Sequence, residues 1–481
     1  MLTQCSVSLR YFVHTFGCQM NMHDSDRMSE VLSSHGWQST DGPESADLVV
    51  FNTCSVREKA EHKLHSELGK LAPLKRSNPE LVIAVAGCVA QQEGQALLKR
   101  SELLDLVIGP DNIPELPRLV LDQRAGALPL SYTVFDDHAP RFLAAHPVAG
   151  QAPISAFVTT MKGCDERCSF CVVPYTRGSE RYRPAAEIVA EAQRWVAAGS
   201  KEIVLLGQTV DSFRDPSLPP PVSDDPDESQ FPHLLRLLAK EVPGLQRLRY
   251  TSPHPRHLTP SLIAAHAELD VLAAHVHMPV QSGSNRVLKR MIRRYTREEY
   301  LSRVNQLKAA RPGLALSTDM IVGFPGETDE DFEQTLSLVR EANFVAMFAF
   351  KYSVRPLTPA RKLKDDVPED VKSERLSRLL ALTDELQAAH LKELVGSYAT
   401  VILEGASKTD ATRISGRTER NELVHLPAPE GDVSGELARV KIVEAYKHSL
   451  RGEWDGPAPV GRSTAPKAYA RAGRSLPLVN A

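Results

Sequence analysis

Residues 163–171 read GCDERCSFC and set Cys164, Cys168 and Cys171 in a C-x3-C-x2-C loop. The loop follows SAFVTT (155–160), an apolar run that reads as a buried strand. Three thiolates this close in sequence can converge on three irons of a cubane and leave the fourth iron without a protein ligand. An open iron beside a reducible cluster is a place where a small molecule with an amine and a carboxylate can chelate. The alternative is a structural zinc, which needs a fourth ligand to close its tetrahedron. His14, His23 and His146 are the candidates for that ligand, and none stands at finger-like spacing.

Outward from the loop, strand-like and helix-like segments alternate. EIVLLG (202–207), RLRYTS (247–252), AAHVHMP (273–279), ALSTDMIV (315–322) and FVAMFAF (344–350) read as further strands, with helical stretches such as 184–199 between them. Six strand–helix units are too few for a complete eight-unit barrel, so a partial, open (β/α)6 barrel is expected over 154–390. The Pro- and acid-rich insertion DPSLPPPVSDDPDESQ (215–230) reads as a mobile loop. Upstream, YFVHTF (11–16), DLVVFNT (47–53), LVIAVAG (81–87) and DLVIG (105–109) alternate with amphipathic stretches, which predicts an α/β, doubly wound parallel domain over 10–122. Residues 123–153 read as an interdomain linker. Short strands from 394 to 456 fit a small C-terminal β-barrel. The tail 457–481, with Arg462, Lys467, Arg471 and Arg474 and no acid, reads as disordered.

Cys18, Cys54 and Cys88 lie 36 and 34 residues apart, too far for a local motif. Each nevertheless follows the end of a successive parallel strand. In a doubly wound sheet these ends share one edge, where ligands bind. That coincidence predicts a second three-cysteine cluster site, whereas cysteines that were merely core would fall inside strands at random phase. Cys5 precedes the first strand and reads as a non-ligand.

The chain has 481 residues, 42% hydrophobic and 24% charged, as in ordinary globular proteins. Its formal net charge of -3 does not announce nucleic acid, so any basic surface is local. No apolar run approaches the ~20 residues that span a bilayer, and the first residues show no signal-cleavage pattern. A cytoplasmic location without membrane contact is expected. All seven cysteines lie at or before position 171, a distribution that favours metal binding over disulfides.

The cysteine loop, followed by VVPYTRG (172–178), is similar to the signature of radical S-adenosylmethionine (SAM) enzymes. Its pairing with TFGCQMNMHDS, FNTCSVRE and AGCVAQ around the upstream cysteines resembles the methylthiotransferase family. LLGQTV, TSPHP, MPVQSGS, KRMIRRYTREEY, TDMIVGFPGET, YSVRPLTPA and GRTERN follow in the family's order, so the resemblance covers about 11–455. GCQMN and VVPYTRG are similar to the adenosine-modifying group. QTVDSF (208–213) departs from the family string, and no contact is assigned to Asp211 or Ser212.

The resemblance implies two 4Fe–4S clusters and SAM as cofactors. The cluster on Cys164, Cys168 and Cys171 would bind SAM and, on one-electron reduction, yield a 5′-deoxyadenosyl radical. The cluster on Cys18, Cys54 and Cys88 would be the sulfur source, methylated by a second SAM. The implied product is the 2-methylthio form of N6-dimethylallyladenosine at position 37 of tRNA. Siblings act on threonylcarbamoyl-adenosine or on a ribosomal-protein aspartate, and a non-catalytic Fe–S RNA-binding protein is the alternative from another class. MIVGFPGE (320–327) resembles the segment lying along the SAM nucleoside, where Gly323 and Gly326 would permit close approach; read alone, it is a strand-to-helix turn. Gln208, Ser252, Gln281 and Asp319 sit at predicted C-terminal strand ends and are expected to line the SAM site.

For RNA, RVLKRMIRRYTR (286–297) offers Arg290, Arg293 and Arg294 as phosphate contacts and Tyr295 as a stacking group, with a solvated helix face as the bland alternative. The C-terminal barrel resembles a TRAM domain. From Glu436 to Ala481 it and the tail carry eight Lys/Arg against four Asp/Glu, suited to backbone binding of the anticodon stem-loop. An electron donor such as a flavodoxin or ferredoxin is implied, and a monomer is expected.

Overall fold

The computed structural model describes residues 8–55, 58–136, 140–407, 410, 412–428, 431 and 433–457. Cys5 and the tail beyond Pro457 lie outside the described residues.

The first sheet contains β1 (Arg10–Phe16), β2 (Gln38–Ser39), β3 (Leu48–Thr53), β4 (Val82–Gly87), β5 (Leu106–Ile108) and β6 (Leu130–Tyr132), in the order β2-β1-β3-β4-β5-β6. Every pairing is parallel. The central strands LVVFNT and VIAVAG are buried at every position, as expected for strands covered by helices on both faces. Two apolar cores, one around Phe51, Ile83 and Leu64 and the other around Val50, Ala84 and Leu32, fill the two sides of the sheet.

The second unit is the open barrel. β7 (Ser155–Thr159) leads into the short antiparallel ribbon β8 (Met161–Lys162) and β9 (Arg181–Tyr182). β10 (Glu202–Leu206) and β11 (Arg247–Tyr250) pair in parallel with β7 in the order β11-β10-β7. β12 (His275–His277), β13 (Ala315–Val322) and β14 (Ala346–Lys351) form a second parallel trio, joined to the first by a bridge between Leu248 and Leu272. The six parallel strands thus make the expected partial barrel, left open between β7 and β14. Local chemistry starts and stops the covering helices. Pro184 and Gly199 bound Ala185–Ala198, while Thr296 with Glu299 and Thr328 with Asp331 form capping boxes for the helices Arg297–Ala310 and Asp329–Ala342.

The third unit is a closed barrel of β15 (Tyr398–Ala406), β16 (Arg413–Thr418), β17 (Leu423–Pro427), β18 (Leu437–Ala445) and β19 (Leu450–Pro457), ordered β15-β16-β17-β19-β18. Arg247 and Arg249, at the beginning of β11, donate to the carbonyls of Arg417 and Thr418 at 3.1 and 2.9 Å. The small barrel is therefore fixed under the N-terminal ends of the barrel strands, away from the cysteine loop.

Two expectations are corrected. The segment 123–153 is not wholly linker. The helix Leu116–Arg124 runs into it, and β6 extends the sheet because the exposed edge of β5 accepts a further parallel strand. The insertion 215–230 is anchored at both ends rather than mobile throughout. The Asp215 carboxylate caps Ala185 N–H, the Gln230 side-chain amide donates to the carbonyls of Leu218 and Pro219 at 3.2 and 2.8 Å, and Glu228 accepts from Thr259 Oγ1 at 3.0 Å.

Candidate active site at the domain junction

The C-x3-C-x2-C loop is shaped by its first glycine. Gly163 has φ +78°, and a Cβ there would sit 1.9 Å from the carbonyl oxygen of Ser179. Its N–H donates to Gln208 Oε1 at 2.6 Å, tying the loop to the C-terminal end of β10. Cys164 Sγ lies 2.9 Å from Thr209 Oγ1, Cys168 Sγ accepts from Arg293 Nη1 at 3.3 Å, and Cys171 Sγ accepts from Val173 N–H at 3.5 Å. Ser169 clamps the middle of the loop: its N–H reaches Met291 O and its carbonyl accepts from Ala360 N–H. Burial raises the Cys164 thiol and pushes Cys171 up to about 12.

The upstream cysteines occupy the C-terminal ends of three adjacent strands. Cys18 caps the helix Gln19–Ser34 after β1, Cys54 follows β3, and Cys88 begins the helix Cys88–Glu93 after β4. Buried amides hold these ends together. Asn21 Nδ2 donates to Asn52 Oδ1 at 3.0 Å, Asn52 Nδ2 returns a bond to Asn21 O at 2.7 Å, and Thr53 Oγ1 donates to Ala86 O at 2.9 Å. A hydrogen bond with Cys54 draws the Cys18 thiol down to about 6, outweighing its desolvation.

The sheet edge that carries Cys88 packs against the helix that follows the cysteine loop. Arg177, from the helix that follows the cysteine loop, places Nε–H 3.3 Å from Cys88 Sγ and Nη2 2.6 Å from Asp24 Oδ2. Burial opposes the Asp24 charge, but the Arg177 cation and the bonds from His23 and Arg177 more than offset it and hold the carboxyl below its usual range. His23 Nε2 lies 3.1 Å from Thr159 Oγ1, and Asp111 receives Lys162 and Arg181 from the barrel at 3.0 and 2.7 Å. The Arg177–Cys88 contact thus ties the upstream trio to the helix that follows the cysteine loop.

The residues present fit iron–sulfur ligation. Each trio offers only soft sulfur donors, the ligand type that iron–sulfur clusters take. Of the histidines considered as zinc ligands, His23 is hydrogen-bonded to Thr159 and His14 packs at a tilt on Phe16. Glu166 Oε2, within the loop, and His254 Nε2 are buried polar atoms with no hydrogen-bond partner among the described residues, a polar lining suited to an amino-acid moiety.

Gln208, Ser252 and Gln281 follow the C-terminal ends of β10, β11 and β12, whereas Asp319 lies in the middle of β13, which corrects its expected place at a strand end. Only Gln208 touches the cysteine loop. Ser252 and Gln281 adopt φ +60° and +76°, strained for side-chain-bearing residues and concentrated at this mouth. Gln281 joins β13 through its backbone, and Asp319 Oδ2 meets His277 Nε2 at 3.3 Å. Gly323 and Gly326 have φ +69° and +79°, but a Cβ on them would strike Lys372 Cγ at 2.3 Å and Arg290 Nη2 at 3.1 Å. On the side where a Cβ would project, the neighbours of these two glycines are protein side chains.

The basic run divides. Arg290 and Arg294 are exposed, Arg290 with its Nε on Pro325 O at 2.9 Å. Arg293 is 5% exposed and spends its donors on Cys168, Tyr295 and Pro279 O; Tyr295 is buried with its hydroxyl on Val280 O at 2.9 Å. Neither reaches RNA, because the bend at Ile292 (φ +58°) turns Arg293 inward. Arg177, Asp24 and Thr209 were given no role from sequence. Arg177 stands in VVPYTRG, whose position six residues after Cys171 was the available signal.

Family models match 10–109 (Uncharacterized protein family UPF0004), 158–339 (Radical SAM superfamily) and 392–454 (TRAM domain). Together with the open barrel and its cysteine loop, they define a three-domain radical SAM protein. A tRNA-2-methylthio-N(6)-dimethylallyladenosine synthase of Sorangium cellulosum is 59% identical over 92% of this chain and 93% of its own, and one of Bordetella petrii is 45% identical over 92% and 90%. This chain belongs to the tRNA-2-methylthio-N(6)-dimethylallyladenosine synthase family. A solved radical SAM methyltransferase from Kitasatospora setae, TsrM, is 14% identical with TM-score 0.49, covering 83% of this chain and 79% of that one.

Proposed function

We infer that this chain is a radical SAM tRNA methylthiotransferase that installs a methylthio group on C2 of N6-dimethylallyladenosine at position 37 of tRNA. Its cofactors are SAM and 4Fe–4S clusters. The observation that supports the reading is the Arg177 bond that brings Cys88 against the helix after the cysteine loop, in a chain 59% identical to a named synthase over nearly its full length. When bound, SAM and the clusters supply reductive sulfonium cleavage, hydrogen abstraction from the base, and the sulfur and methyl of the product.

The protein's part is placement. Cys164, Cys168 and Cys171 hold one cluster under the barrel mouth, with Gln208 and Thr209 fixing the loop. Cys18, Cys54 and Cys88 hold the other on the sheet edge, and Arg177 with Asp24 keeps that edge against the barrel. Burial of Cys164, Cys168, Cys54 and Cys88 keeps bulk water from the reacting face. Arg290, Arg294 and the TRAM domain are the proposed phosphate contacts. A flavodoxin- or ferredoxin-type donor, a cytoplasmic location and a monomeric state complete the proposal. No helix among the described residues is long and apolar enough to cross a membrane.

The test is mass spectrometry of tRNA nucleosides from a deletion strain, with anaerobic reconstitution of the protein. Loss of 2-methylthio-N6-dimethylallyladenosine and about eight irons per chain are expected, one 4Fe–4S cluster per trio. Loss of a methylthio-threonylcarbamoyl nucleoside instead, or unchanged tRNA, overturns the reading.

A further inference from the structure

Arg177 has more to do than join two domains. It is 6% exposed, and its backbone carbonyl is held by Arg181 Nη2 at 2.7 Å, so the side chain leaves from a fixed point. The Nε–H is spent on Cys88 Sγ at 3.3 Å, and Nη2 on Asp24 at 2.6 Å. A guanidinium is charged at any working pH and its fork is rigid, so Cys88 faces a permanent cation and an N–H donor. Arg177 also bears electrostatically on Cys18, and therefore on two of the three upstream thiols.

Hydrogen bonds to ligand sulfurs and local net charge set the potential of an iron–sulfur cluster. Reduction adds one electron and makes the cluster more negative. A donor and a fixed cation at a ligand sulfur favour that state. We propose that Arg177 is a positioning residue that raises the reduction potential of the cluster on Cys18, Cys54 and Cys88 while holding Cys88 toward the SAM-binding loop. The inference rests on the reading of those three cysteines as cluster ligands.

The second trio carries the same device in a different balance. Arg293 donates to Cys168 Sγ at 3.3 Å, but its other donors go to Pro279 O and Tyr295, and it has no carboxylate partner among the described residues. Arg177 is partly neutralised by Asp24. The Nε–H contact thus carries more of its effect on Cys88 than net charge does.

The experiment uses the full chain with C164A/C168A/C171A, so that only the upstream cluster remains, reconstituted anaerobically and titrated under EPR. R177M is expected to be about tenfold less reduced at a fixed ambient potential, ~59 mV for one electron. R177K keeps the charge but loses the fork, and an effect of about threefold is expected. An R177K and R177M midpoint equal to that of Arg177, at equal iron content, overturns the proposal. If R177M retains no iron, R177K decides alone: a lower midpoint supports the role and an unshifted one overturns it. Failure of the Arg177 protein itself to hold about four irons in this background is a separate result, and it defeats the cluster assignment instead.

Discussion

The two cysteine trios reach similar chemistry by opposite routes. Cys164, Cys168 and Cys171 are gathered by eight residues of loop, shaped by Gly163 and held by Gln208, Thr209, Arg293 and the Ser169 clamp. Cys18, Cys54 and Cys88 are gathered by a parallel sheet, and their convergence needs three strand ends in register and the buried Asn21–Asn52–Thr53 network. The distributed site depends on the whole sheet, and through Arg177 on the neighbouring domain as well. The Arg177–Asp24 ion pair joins the helix after the local trio to the helix after Cys18, so the two sites are locked together.

The sharpest way to break the comparison is to remove one trio at a time. C18A/C54A/C88A is expected to abolish methylthio product while leaving reductive formation of 5′-deoxyadenosine, with about four irons remaining. C164A/C168A/C171A is expected to abolish both. Methylthio product from the first variant, measured on tRNA by mass spectrometry, sinks the division of labour.

Next in size is the arginine at the local trio. R293M removes the only side-chain N–H donor to Cys168 among the described residues. Outer-shell partners of metal ligands typically carry 10–100-fold in affinity or activity, and a fall of that order in SAM cleavage is expected. A rate within twofold of the unsubstituted protein would place Arg293 in mere packing.

Smaller still are the exposed cations beside it. R290A and R294A are expected to weaken tRNA binding and to reduce the salt slope by about 1 for each phosphate no longer neutralised. R293M is expected to leave that slope unchanged, because its guanidinium is buried. Filter binding over a salt series reads all three. An equal loss of slope in R293M would return Arg293 to the RNA surface.

Much of this was legible in the sequence. The alternation of apolar runs placed four of the six strands of the N-terminal sheet and all six parallel barrel strands, because parallel strands covered on both faces are continuous apolar stretches. The cysteines at 18, 54 and 88 could be joined because strand order implies a shared edge. What stayed hidden depends on contacts between distant side chains. Leu130–Tyr132 is a strand only because the β5 edge stands beside it. Arg293 and Arg294 are adjacent in a basic run, and nothing in their composition shows that the bend at Ile292 sends one inward and the other out. Arg177 was visible as a letter in VVPYTRG, but its partner Asp24 lies 153 positions away.

Two buried aspartates carry the contrast down to single protons. Asp24 sits beside Arg177 and is held below its usual range, so its contribution to stability is present at neutral pH and lost as pH falls through the lowered value. Asp211 lies in the barrel, fully buried, with His254 N–H at 2.8 and 3.0 Å from its two oxygens, and burial raises it to about 7. Its unfolded value is 3.8. Between those values the folded state binds the proton that the unfolded state has released. The resulting stabilisation is complete below about pH 4 and is lost as pH rises through 7, at most about 4 kcal/mol for a shift of this size. D211N is neutral throughout and keeps an oxygen for the His254 N–H. Thermal unfolding of the reconstituted protein at pH 5 and pH 8 should therefore show a smaller drop in D211N than in the unsubstituted chain, whereas an identical drop would mean that Asp211 does not titrate across this range and that some other group sets the pH dependence.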